Sequence, residues 1–100
     1  MKILNLDRRK GKTTELIKIS NKKWLYIICL NRKRAENISN MAMEMNLDIP
    51  FPITMDELPL RSNFIKEVLI DDMEDLLQYL IQKPILYATT SCEVTNEINL

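Results

Sequence analysis

Along the 100 residues, hydrophobic positions switch between short continuous runs and helical spacing. Ile3-Leu4-Asn5-Leu6 is an apolar run ahead of a charged stretch and predicts a buried strand. Leu16, Ile17 and Ile19 then suit a helix over residues 11–20, with Thr13 and Thr14 in its first turn. Residues 24–30 are nearly continuously apolar and rich in aromatic and β-branched side chains, the pattern of a strand covered on both faces. Asn31 offers an N-cap side chain, and Ala35, Ile38, Ala42 and Met45 recur at helical spacing, which predicts an amphipathic helix over 32–46. Pro50 and Pro52 confine any strand between 48 and 54 to a short or edge position. Thr54-Met55-Asp56-Glu57 matches a capping box and predicts a short helix ended by Pro59. Val68-Leu69-Ile70 is a further strand closed by Asp71 and Asp72. Met73, Leu76, Leu77 and Leu80 share one helical face behind it. Pro84-Ile85-Leu86-Tyr87-Ala88 reads as a last buried strand before Thr89-Thr90-Ser91, and residues 92–100 as a fraying tail.

Strands alternating with helices predict an α/β fold. The expected architecture is a small, mostly parallel sheet of four to five strands with helices on both faces, in one domain over residues 1–100. Right-handed crossovers are the default. With 46% apolar and 28% charged residues the composition is that of an ordinary globular chain. No apolar run approaches the roughly 20 residues that cross a bilayer. The N-terminus does not read as a signal peptide, since Asp7 and a basic run follow so soon. There is no His, and only Cys29 and Cys92, which excludes His-dependent catalysis and the usual zinc ligand sets. Cys29 reads as a buried thiol, and a reducing cytoplasm is the expected compartment.

Charge is balanced overall but not along the chain. Residues 1–50 carry 11 Lys and Arg against 5 Asp and Glu, and residues 51–100 carry 3 against 9. Two readings stand: an anion site built from the first half, or internal balance on a neutral surface.

In parallel α/β sheets ligands bind beyond the carboxyl ends of the strands. Four groups are predicted to collect there. Asp7-Arg8-Arg9-Lys10-Gly11-Lys12-Thr13-Thr14 follows the first strand, Asn31-Arg32-Lys33-Arg34 the second, Asp71 and Asp72 a later one, and Thr89, Thr90 and Ser91 the last. Gly-Lys-Thr between a strand and a helix has a definite phosphate chemistry. Gly11 lets the backbone approach an anion, and the helix N-terminus aims unpaired N–H groups at it. Lys12 can reach terminal phosphates, and the Thr13 hydroxyl can ligate Mg²⁺. A solvated, capped first turn is the plain alternative for Lys12 and Thr13. Arg8, Arg9 and Lys10 either assist phosphate binding or keep the loop soluble. The full pattern G-x-x-x-x-G-K-[ST] wants a glycine where this chain has Leu6. Asp71 can hold the water shell of Mg²⁺, and Asp72 can polarise an attacking water; either can equally cap the following helix. Thr89 and Thr90 can sense a terminal phosphate or be ordinary turn residues.

Taken together, these motifs resemble the P-loop NTPase core of the helicase and terminase type, most of all the ATPase domain of phage large terminases. Leu6 to Thr14 resembles their relaxed, basic phosphate loop. Val68-Leu69-Ile70-Asp71-Asp72 resembles the Walker B strand, with Asp72 in place of the usual catalytic Glu. Ala88-Thr89-Thr90-Ser91 resembles the coupling motif. The resemblance implies a three-layer P-loop NTPase-like fold, with the last strand between the first and the Walker B strand. It also implies ATP with Mg²⁺ as ligands and the cytoplasm of a bacterial host as the compartment. Family motors are larger and draw an arginine finger from a second domain or subunit, worth on the order of 10³–10⁵ in rate. The expected activity here is therefore ATP–Mg²⁺ binding with weak or assembly-dependent hydrolysis, and not that of a stand-alone motor. The alternative is a catalytically idle phage or mobile-element protein of the same fold that binds and inhibits a host replication or defence protein. A third reading, nucleic-acid binding through Arg8, Arg9, Lys10, Arg32, Lys33 and Arg34, would show strong salt dependence.

Overall fold

A computed structural model describes residues 1–6 and 11–96. The elements run β1 (Lys2–Leu4), α1 (Lys12–Lys23), β2 (Ile27–Cys29), α2 (Arg32–Glu44), β3 (Ile53–Thr54), β4 (Leu69–Ile70), α3 (Met73–Ile81) and β5 (Glu93–Thr95). A single 3-10 turn, Met55–Glu57, follows β3. All strand pairings are parallel, so the α/β class with a parallel arrangement holds. The strands form two small sheets, one ordered β3-β2-β4 and the other β1-β5.

Each well-formed helix has a local cause. Gly11 stands at the N-cap of α1 with φ of 76°, a left-handed conformation that an L side chain resists. At the other end, Trp24 takes φ of 54° and its N–H donates to the Ser20 carbonyl. The buried Ser20 hydroxyl donates to the Leu25 carbonyl at 2.6 Å, and the Leu25 N–H returns to the Ser20 carbonyl at 3.2 Å. This double link turns the chain directly from α1 into β2. The Asn31 side chain accepts from the Arg34 N–H at 3.0 Å, the N-cap expected for α2. The Thr54 N–H donates to Glu57 Oε2 at 2.7 Å, and the Thr54 hydroxyl donates to Asp56, which fixes the short turn after β3.

The core lies where α1 and α2 meet each other and the three-stranded sheet. Ile17, Ile27, Cys29, Ala35, Ile38 and Ala42 are buried together there, with Leu16, Met41, Met45 and Leu69 packed around them. Leu6 is also buried, at 3% exposure. The side chain that breaks the glycine pattern of the phosphate loop is thus an apolar packing residue. No described helix is long and apolar enough to cross a membrane.

Several expectations are corrected. The predicted strand over 24–30 shortens to Ile27–Cys29, because Trp24 ends α1 and is 59% exposed. Residues 84–88 form no strand, and all are exposed, with Leu86 at 86% and Tyr87 at 88%. Their apolar sequence finds no covering surface. No described strand lies between β1 and β4, since β1 pairs with β5 and β4 with β2. The tail does not fray through 93–95: those residues pair in parallel with β1, Ile3 opposite Val94. The Asn5 N–H bonds the Thr95 carbonyl at 2.8 Å, and Asn5 Nδ2 donates to Asn96 Oδ1 at 3.1 Å. α1 and α2 touch each other, and among the described residues α3 has no extensive contact with any element and no buried residue.

This distribution predicts unequal mutational costs. Ile38→Ala should lower stability by about 3 kcal/mol in urea denaturation, from lost burial and an unfilled cavity. Leu86→Ala should stay within about 0.5 kcal/mol.

Candidate functional site

Three elements bring one polar cluster together at the carboxyl end of β4. Asp71 follows β4, and its backbone N–H donates to the Ile28 carbonyl of β2 at 2.9 Å. That bond continues the β2–β4 ladder by one residue and leaves Asp71 only 7% exposed. Thr13 is the second residue of α1, and its hydroxyl donates to Asp71 Oδ1 at 3.2 Å. Arg34 lies in the first turn of α2, held there by the Asn31 cap. Its Nε donates to Asp71 Oδ2 at 2.8 Å and its Nη2 to Asp71 Oδ1 at 3.4 Å, a forked contact with both carboxylate oxygens. The same Nη2 donates to Thr13 Oγ1 at 2.8 Å. Among the described residues no buried side-chain polar atom lacks a partner.

Burial would disfavour the Asp71 charge without compensation; the guanidinium supplies it. The hydrogen bond from Arg34 to Asp71 in turn holds the guanidinium more firmly protonated. Cys29, on the strand beneath, has its thiol pushed up first by burial and then by the Asp71 charge.

The predicted site residues divide as follows. Gly11, Lys12, Thr13 and Thr14 form the start of α1, and Thr13 meets Asp71 directly. Arg8, Arg9 and Lys10 lie outside the described residues. Asp72 is the residue before α3, with φ of 65° and no hydrogen bond from its side chain to that helix as a cap. A hydrogen bond between its carboxyl and that of Glu74 raises Asp72 to about 6 and lowers Glu74, while the Lys12 charge lowers both. Thr89 and Thr90 sit in an exposed irregular stretch, and the Thr90 hydroxyl accepts from the Cys92 N–H at 3.0 Å. Among the described residues no hydrogen bond joins them to Thr13, Arg34 or Asp71. Of the basic group after β2, Arg34 is engaged with Asp71. Arg32 pairs with Glu36 at 3.3 Å and lies 5.0 Å over the Phe51 ring.

Arg34 was legible only as part of a basic cluster at the correct sheet edge. Its pairing with Asp71 spans 37 positions, beyond any local pattern.

A separate open groove of about 480 Å³ lies past the ends of β2 and β3. Asp56, Glu57, Phe51 and Tyr79 contribute to its walls, and Gly11, Lys12, Thr13 and Asp71 do not. Arg32 lines it together with the two carboxylates, so its charge is mixed. The Thr13–Asp71 crevice combines a helix N-terminus, a lysine, a hydroxyl and a carboxylate, the donor set for a phosphate with a hydrated cation. Among the described residues no group of three or more acidic or cysteine side chains could hold a metal by itself. One carboxylate and one hydroxyl still fit Mg²⁺, which usually keeps waters and shares its ligands with substrate phosphates.

Comparison with known proteins gives no match: no family model, no curated protein and no solved structure corresponds to the chain. Function is therefore argued from the residues.

The Gly11 turn carries its own prediction. Alanine there would have to adopt φ of 76° and place its Cβ 3.4 Å from Thr14 Cβ. Gly11→Ala should cost about 1–2 kcal/mol in a urea melt, from the left-handed backbone alone.

Proposed function

We propose that this chain binds a nucleoside triphosphate with Mg²⁺ in the crevice between the start of α1 and the end of β4, and hydrolyses it slowly or only within an assembly. The observation that carries the reading is the 3.2 Å contact between Thr13 and Asp71, residues 58 positions apart. A hydroxyl from the turn after the first strand and a carboxylate from the end of a parallel strand are the two protein ligands such a cation needs beside phosphate. Gly11 and the N-terminal end of α1 favour the phosphates, and Lys12 adds charge. Thr13 and Asp71 would hold the cation. When bound, it neutralises phosphate charge.

In the same reading the parallel α/β arrangement is a reduced P-loop fold in which Leu6 trades the first glycine for core packing. Weak hydrolysis follows from two features. Asp72 is shorter than the usual Glu and is engaged with Glu74. Among the described residues no hydrogen bond links Thr89 or Thr90 to Thr13, Arg34 or Asp71.

A second reading is favoured by a different observation. Leu86 and Tyr87 are largely exposed, and among the described residues α3 has no extensive contact with another element. An idle-site protein that binds a host protein through this region would present such a surface. Under that reading partner binding survives Lys12→Ala and Asp71→Ala; under the first, Lys12→Ala weakens nucleotide binding.

Isothermal titration of a slowly hydrolysed ATP analogue with excess Mg²⁺ tests the main reading. Wild type should bind, and Lys12→Ala should weaken binding about tenfold or more, the loss of a charged contact. No heat and no saturation with wild type would remove the proposal.

A further inference from the structure

Every atom that a cation between Thr13 and Asp71 would use already accepts an N–H from one side chain. Arg34 covers Asp71 Oδ2 at 2.8 Å, Asp71 Oδ1 at 3.4 Å and Thr13 Oγ1 at 2.8 Å. A guanidinium and a divalent cation cannot share that seat: both are positive, and both need the same oxygens. Arg34 is also able to leave. Its side chain is 37% exposed while that of Asp71 is 10% exposed, so the arginine, not the carboxylate, has solvent to turn into. Its backbone stays anchored by the Asn31 cap.

We infer that Arg34 is a built-in counter-cation, displaced from Asp71 and Thr13 when a magnesium-bound triphosphate enters and re-paired with the phosphates. This rests on the nucleotide reading above and adds regulation to that site. In the unliganded chain Arg34 keeps the buried carboxylate neutralised without any metal. As Mg²⁺ takes over Asp71, Arg34 exchanges that carboxylate for the phosphates, so neither anion is left uncompensated. The arrangement makes Arg34 do part of the work of Mg²⁺. Metal-free triphosphate is therefore tolerated, and the gain from adding Mg²⁺ is small.

The readout is the ratio of ATPγS dissociation constants measured in EDTA and in excess Mg²⁺. In wild type this ratio should be modest. Arg34→Gln exposes Asp71 to the phosphates in EDTA and opens the seat to Mg²⁺, so its ratio should rise roughly tenfold or more, the scale of a lost charge-assisted contact. Asp71→Asn releases Arg34 toward the phosphates. It should tighten metal-free binding and abolish the benefit of Mg²⁺. The Asp71→Asn arm stands alone if Arg34→Gln fails to fold. An unchanged ratio in Arg34→Gln, or metal-free binding no tighter in Asp71→Asn, overturns the counter-cation role while the nucleotide reading stands. Failure of wild type to bind ATPγS under either condition overturns both.

Discussion

A carboxylate buried at the end of a strand must be neutralised, and the way this chain neutralises Asp71 organises its functional edge. The partners come from the first turns of two helices: the Thr13 hydroxyl from α1 and the Arg34 guanidinium from α2. α2 follows β2, the strand paired with β4, and so starts beside Asp71. Removing Arg34 costs more than losing a surface ion pair, since it leaves a carboxylate nearly excluded from water unpaired. The Arg34 guanidinium covers both oxygens of the carboxylate.

That edge is held in place by packing on the other side. Ile17, Ile27 and Ile38 interlock α1, β2 and α2, and the Ser20–Leu25 link fixes the angle at which α1 hands the chain to β2. The C-terminal third is held differently. β5 is tied to β1 through backbone bonds and an exposed asparagine pair, and the Lys2–Glu93 approach at 4.0 Å is too exposed to add much. α3 and residues 84–88 keep apolar side chains in solvent. The molecule pairs a firmly packed functional edge with an apolar surface outside its core.

Local signals in the sequence were read correctly where the cause was local. Apolar spacing located α1, α2 and α3. The Asn31 cap and the 54–57 motif set the start of α2 and the turn after β3. The failures share one physical origin: an apolar run says that a segment would gain from burial, not that a surface exists to bury it. Residues 84–88 look like a strand and have no neighbour to pair with. Residues 93–95 look like a tail and pair by backbone, which leaves little side-chain pattern. At the site, Gly11, Thr13 and Asp71 were recognisable from their chemistry and from the strand ends they follow. The Arg34–Asp71 pair was not, because its geometry exists only once α2 is docked on β2.

The central claim is that the start of α1 and the end of β4 form one anion-binding crevice. Backbone amide shift mapping by NMR, with ATPγS and Mg²⁺ added to the ¹⁵N-labelled chain, tests it most directly. The account predicts concerted shifts at Gly11 to Thr14 and at Asp71 and Asp72, all following one saturation curve. Shifts confined to the groove at Phe51 and Glu57, or absent from both segments at saturating ligand, would contradict it.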